Sequence, residues 1–231
     1  VYDQDVSEQR TIGRLWRDAL GAGHAEPAYL RHVDGAWEEV TWAQAGERVE
    51  LLANGLLAWG IRKGDAFGIL GRTTLDWALF DFALALVGAV TAPIYATSSA
   101  RDAAYVLDHS DAVGVLVEDA TQQAKVDEQR AALPKLRHVL AFGDLDALAE
   151  EGRADRETHP EALATAEAAV DEEALFTLIY TSGTTGPPKG CMITHENYRN
   201  TTTMGESLIV GDPREVIYLF LPLAHSLALL A

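Results

Sequence analysis

Apolar positions along the chain recur in two rhythms, a helical one near the start and an alternation of strand and helix from about residue 64 onward. Gln9 to Leu20 sets Ile12, Leu15, Trp16 and Ala19 on one face at helical spacing. Short strands are predicted at Ala28 to Val33 and Trp37 to Thr41, around Asp34-Gly35, a dipeptide that tolerates the positive φ of a hairpin turn. Thr41 caps a long helix reaching about Trp59, and Gly60 ends it.

From Gly64 the pattern predicts strands at Ala66–Leu70, Val90–Tyr95, Ala112–Val117 and His138–Phe142. The intervening helices fall at Leu75–Val87, Ala100–His109 and Ala120–Ala132, with a short one at Leu145–Glu150. Such alternation favours right-handed crossovers, so the expected fold class is α/β, with mostly parallel sheets flanked by helices on both faces. The apolar stretch Ala78 to Tyr95 contains Asp81, Gly88 and Pro93, which fits a buried helix, a turn and a strand better than a membrane span.

Composition narrows the function classes. With 18 basic against 35 acidic residues the net charge is −17, which argues against gripping nucleic acid and allows at most peripheral contact with an anionic membrane. The single Cys191 excludes an internal disulfide and makes a reducing, cytoplasmic setting the simpler expectation; inert burial is its expected role. The seven His residues are scattered and none pairs at the spacing of a helical zinc motif. Val1 to Arg10 carries Asp3, Asp5 and Glu8 where a signal peptide needs a basic and then an apolar run. The chain stops within the apolar run Leu227 to Ala231, which reads as the front part of a longer polypeptide.

Between Asp144 and Glu173 stand eleven acids and two arginines. The segment reads as a solvated connector with one or two exposed helical turns. The expected organisation is a first α/β subdomain over 1–150, an acidic connector over 151–173, and the start of a second α/β subdomain over 174–231.

The densest chemical signal follows the connector. A buried-strand pattern, Ala174 to Tyr180, runs into Thr181-Ser182-Gly183-Thr184-Thr185-Gly186-Pro187-Pro188-Lys189-Gly190, and a strand resumes at Cys191. The loop holds four hydroxyls, three glycines and a lysine without a carboxylate. Glycines let backbone N–H groups converge on an anion, hydroxyls add neutral donors, and a lysine adds a mobile positive charge. Neither the Walker A pattern nor G-x-G-x-x-G fits, because Pro188 precedes Lys189, Gly190 follows it, and the glycines are three and four apart. A flexible linker would need neither the stiff Pro187-Pro188 exit nor a lysine between two strands. The loop is therefore expected to bind polyphosphate.

The stretch Tyr180 to Gly190, YTSGTTGPPKG, resembles the signature loop of the adenylate-forming (AMP-binding) superfamily. Gly60 to Asp65, Val87 to Tyr95 and Leu221 to His225 resemble further segments of that superfamily in the same order. Within it, Pro93 to Ser99 together with Pro187 to Met192 are most similar to the long-chain fatty acyl-CoA synthetases. The resemblance covers essentially the whole chain but only the front of the family's usual length. It implies an incomplete N-terminal domain of an acyl-CoA synthetase-like enzyme, with the C-terminal domain absent.

The implied reaction joins a fatty acid to ATP, giving acyl-AMP and pyrophosphate, and then passes the acyl group to coenzyme A. The resemblance assigns nucleotide binding to Thr181, Ser182, Gly183, Thr184, Thr185, Gly186 and Lys189, a catalytic role to Lys189, and a share of a Mg²⁺ site to Thr181. His225 would lie near the acyl pocket or the adenylate, or else be a helix-start histidine packed beneath the sheet. His195 is expected to be structural. The later elements that complete the family's adenosine site have no counterpart before Ala231, so this stretch alone is expected to be inactive and, with an uncovered sheet edge, to self-associate. Other readings are a non-catalytic nucleotide-binding or interaction module, or a ligase or adenylation domain for an aryl, short-chain or amino acid.

Overall fold

The structure, a computed structural model, describes residues 10–181, 187–208, 216–219 and 221–224. Helix α1 (Ile12–Gly21) is capped by Thr11, whose side chain accepts from the Arg14 N–H. Strands β1 (Tyr29–Val33) and β2 (Ala36–Val40) form a separate antiparallel hairpin. Its turn places Asp34 and Gly35 at φ of 48° and 85°, as their dipeptide predicted. Helix α2 (Trp42–Ala58) starts on a reciprocal cap between Thr41 and Gln44.

The remaining elements build one six-stranded sheet. They run β3 (Ala66–Gly71), α3 (Leu75–Val87), β4 (Val90–Tyr95), α4 (Ala100–His109), β5 (Gly114–Val117), α5 (Ala120–Glu128) and β6 (His138–Ala141). Then follow α6 (Leu145–Thr158), α7 (Ala162–Ala168), β7 (Leu175–Thr181), β8 (Lys189–Thr194) and α8 (His195–Leu208). The strand order is β6-β5-β3-β4-β7-β8, parallel throughout except for β8, which runs antiparallel to β7. The segment expected to open a second subdomain thus adds its first two strands to the sheet of the first.

Side chains alternate across this sheet with the period of the pleat. Phe67, Ile69 and Leu116 pack with α2, α3 and α6 on one face. Leu70, Ala92, Val115 and Val117 pack with α4 and α5 on the other. Helix α3 is buried almost all round, Trp77 and Phe80 among its fully enclosed residues, which explains its near-continuous apolar sequence. It ends on Gly88 at φ 73°, a left-handed conformation that favours glycine and turns the chain into β4.

The acidic stretch departs from expectation. Where one or two exposed turns were anticipated, α6 runs for 14 residues and buries Leu145, Leu148, Ala149 and Gly152. It lies against α2 at a glycine contact: a Cβ at Gly152 would stand 1.9 Å from the Leu51 carbonyl oxygen, and one at Gly55 2.4 Å from that of Leu148. Most acids of the stretch are exposed, and several pair across elements, Asp146 with Arg48 and Asp171 with Lys63, while its Arg156 pairs with Glu47 of α2. Arg17 reaches from α1 to both Glu50 and Glu167, drawing α1, α2 and α7 together. Among the described residues no helix is long and apolar enough to cross a membrane.

Candidate nucleotide site

Because β3, β4, β5 and β7 are parallel, the loops that follow them gather at one edge of the sheet. The chain steps from β3 to β4 in one direction and then returns across β3 to β5, with α3 and α4 on opposite faces. Such a reversal leaves a crevice at the carboxyl ends of the central strands, where open α/β sheets take ligands. Strand β7 lies beside β4, so the loop after it opens at that edge.

The register of β7 and β8 defines the base of this loop. Tyr180 faces Gly190, and Thr181 faces Lys189. Two of the residues singled out from sequence are therefore directly opposed cross-strand neighbours, and both are exposed. The hairpin brings a hydroxyl and an ammonium to the mouth of the loop without a carboxylate between positions 174 and 195 of the sequence. Ser182, Gly183, Thr184, Thr185, Gly186 and His225 lie outside the described residues.

The surrounding loops are pinned. After β4, the carbonyl of Ala96 accepts from Gln122 Nε2 at 3.2 Å and from Lys125 Nζ at 2.9 Å, and Lys125 also donates to the Ser98 carbonyl. After β3, the Thr73 hydroxyl donates to the Leu221 carbonyl at 2.8 Å and accepts from the Leu223 N–H at 2.9 Å. That pair of bonds draws the segment ahead of His225 to the strand-end edge, and Leu223 and Ala224 are buried there. Sequence reading gave Thr73 no role, since its partners lie about 150 residues away in the chain.

Behind the site sits a buried polar chain. Thr177 on β7 donates to the Thr91 carbonyl at 3.0 Å, and the Thr91 hydroxyl donates to the Asp81 carboxyl at 2.5 Å. Complete burial pushes the Asp81 carboxyl up to about 7, against the lowering effect of the Thr91 bond. His195, expected to be structural, is fully buried at the start of α8, where its Nδ1 accepts from the Ile12 N–H at 3.1 Å. Burial drives that imidazole down to about 4 and keeps it neutral. It ties α1 to the end of β8.

Cys191 corrects its expectation: it is a free, exposed thiol on β8. That strand ends the described sheet, so a side chain on it lacks the neighbour that would cover it. Among the described residues no group of three or more His, Cys, Asp or Glu could hold a metal ion.

The chain that builds this sheet and hairpin matches the AMP-binding enzyme family over residues 17–231, and it belongs to that family. It is 39% identical over 209 residues to long-chain-fatty-acid–CoA ligase FadD15 of Mycobacterium bovis, covering 87% of this chain and 34% of that protein. Human long-chain-fatty-acid–CoA ligase ACSBG2 is 28% identical over 93% of this chain and 34% of its own length. The chain therefore spans about a third of these relatives. Among solved structures, the inhibitor-bound N-terminal domain of FACL13 from Mycobacterium tuberculosis superposes with a TM-score of 0.77 at 27% identity, covering 96% of this chain and 54% of that one. A long-chain-fatty-acid–CoA ligase, FadD1 of Archaeoglobus fulgidus, reaches 0.78 at 19% identity, which shows the shared fold.

Proposed function

We propose that this chain supplies the pyrophosphate-gripping part of an ATP-dependent long-chain fatty acid–CoA ligase. The observation that carries the reading is the opposition of Thr181 and Lys189 at the mouth of an acid-free, glycine-rich hairpin loop beside β4. The FadD15 relatives support fatty acid and coenzyme A as the other substrates.

In the proposed reaction a fatty acid carboxylate oxygen attacks the α-phosphorus of ATP, and the bond to the β-phosphate oxygen breaks, releasing pyrophosphate. The thiolate of coenzyme A then attacks the acyl carbonyl carbon, and AMP leaves. The first step needs alignment and neutralisation of charge building on the leaving group. Lys189 would place its ammonium against the β- and γ-phosphates, and the loop from Thr181 to Gly186 would surround them with hydroxyl and backbone N–H donors. The exposed Thr181 hydroxyl, a single neutral oxygen, suits a magnesium ion that arrives on the triphosphate and keeps waters for its other positions. Magnesium would there offset phosphate charge. His225 would follow the segment held by Thr73 and approach the acyl chain or the adenylate.

The lone cysteine fits a reducing cytoplasmic compartment. The exposed Cys191 and Met192 on β8 leave apolar surface at the sheet edge, which favours self-association of this stretch by itself. The test is to supply the full-length protein with ATP, magnesium and fatty acids of graded length, and to follow acyl-AMP and then acyl-CoA by mass spectrometry. Acyl-AMP from long-chain acids is the expected product. Activation of only aryl, short-chain or amino acids would overturn the substrate assignment, and pyrophosphate release by residues 1–231 alone would overturn the expected inactivity of this stretch.

A further inference from the structure

Both ends of the signature loop are tied to the same helix, α4. At the exit, the Tyr105 hydroxyl donates to the Pro188 carbonyl at 2.9 Å, one residue before Lys189. At the entry, the Tyr180 phenol shares a hydrogen bond of 2.9 Å with His109 Nδ1, one residue before Thr181. The two α4 side chains are one helical turn apart, and their rings stack with centroids 5.3 Å apart. Tyr180 closes the cluster edge-on to both rings. Across the hairpin its ring rests on Gly190, where a Cβ would come within 3.1 Å. Ser99 caps α4 through the Asp102 N–H, so the helix that carries the two side chains is fixed at its start.

We infer that Tyr105 and His109 are positioning residues for nucleotide binding, clamping the entry and exit of the loop so that Thr181 and Lys189 face each other in register. Pro188 has no N–H and its carbonyl is the last backbone acceptor before Lys189, so the Tyr105 bond fixes the peptide that sets the lysine's direction. Tyr105 and His109 would act on the nucleotide through Pro188 and Tyr180, the residues to which they bond. The inference rests on the reading of residues 181–189 as the pyrophosphate grip.

The test uses the full-length protein and compares Tyr105→Phe, His109→Asn, His109→Ala and Lys189→Ala in fatty acid-dependent pyrophosphate release. Tyr105→Phe keeps the ring stack and deletes one hydroxyl. Loss of one hydrogen bond predicts a KM for ATP raised about three- to tenfold, with the KM for fatty acid unchanged. His109→Asn, which can place a polar atom near the position of Nδ1, should restore much of what His109→Ala loses. Lys189→Ala separates the two ideas. If it abolishes activity while Tyr105→Phe leaves the KM for ATP within twofold of the parent, the clamp is refuted and the loop assignment stands. If Lys189→Ala is itself without effect, both fail. An equal loss for ATP and fatty acid in Tyr105→Phe, together with a lowered melting temperature, would mark a merely structural tyrosine and also refute the clamp.

Discussion

Replacing Gly152 by alanine adds a single methyl group at the point where α6 crosses α2. That methyl would lie 1.9 Å from the Leu51 carbonyl oxygen and 2.6 Å from the Gly55 nitrogen. An ordinary carbon–oxygen contact is about 3.3 Å, so the helices must part by more than about an ångström. Both obstructing atoms are backbone, and no side-chain rotation relieves them. Overpacking of this kind costs roughly 1–3 kcal/mol and sometimes more, and the rigid partners put Gly152→Ala at the upper end. Alanine's better helix propensity returns at most about 1 kcal/mol. A net loss of about 2–4 kcal/mol corresponds to a melting temperature lowered by about 5–15 °C for a chain of this size. Gly21→Ala is the control, because a Cβ there meets nothing within 4 Å and the position lies in α1. It should leave the protein unchanged or slightly more stable. Thermal unfolding by circular dichroism measures both. A Gly152→Ala protein melting within a degree of the parent would show that α6 does not pack on α2 as described.

Further outcomes follow from particular residues. Asp81 is held up to about 7, so the fold binds its proton where the unfolded chain has released it; this contribution is present below about pH 4 and is lost as pH rises toward 7. Asp81→Asn should therefore gain stability relative to the parent as pH rises across that window, by on the order of 4 kcal/mol in urea unfolding, and a pH-independent difference would contradict it. Neutral His195 has the opposite sign, stabilising the fold more as pH rises from about 4 to its ordinary range, so the Asp81→Asn protein should show that upward slope unmasked. Thr73→Val removes both bonds to residues 221 and 223, and hydrogen exchange at the Leu223 amide should speed up by about tenfold or more, at a stability cost of about 1–3 kcal/mol. The Cys191 thiol should react with a thiol reagent in the native protein without denaturant, and labelling that waits for unfolding would contradict its exposure.

What the sequence disclosed depended on whether a local signal and a tertiary demand coincided. Helix α3 and strand β4 were legible to the residue because both are buried apolar runs and Gly88 marks the turn between them. Helix α4 also runs over the predicted Ala100 to His109. Helix α6 was legible only in its first part, Leu145 to Glu150; its continuation to Thr158 packs on α2 through Gly152, whose contribution is an absent side chain that no hydropathy pattern records. The same holds for strand direction: the run Cys191 to Thr194 announced a strand but not that it pairs antiparallel with β7. At the site, the loop was recognisable as a contiguous motif, whereas Tyr105, His109 and Thr73 join it only through folding, from positions 83, 71 and about 150 residues distant from their partners. Cys191 was misread because a cysteine inside a strand is usually covered, and this strand ends the described sheet.

In the proposed function the hairpin between β7 and β8 holds the pyrophosphate end of ATP. A crystal structure of the full-length protein with a non-hydrolysable ATP analogue and magnesium tests it most directly. The β- and γ-phosphates are expected within hydrogen-bond distance of the Lys189 ammonium and the loop's hydroxyl and backbone donors, beside the carboxyl end of β4. Phosphates bound elsewhere, with Lys189 and Thr181 turned to solvent, would contradict it.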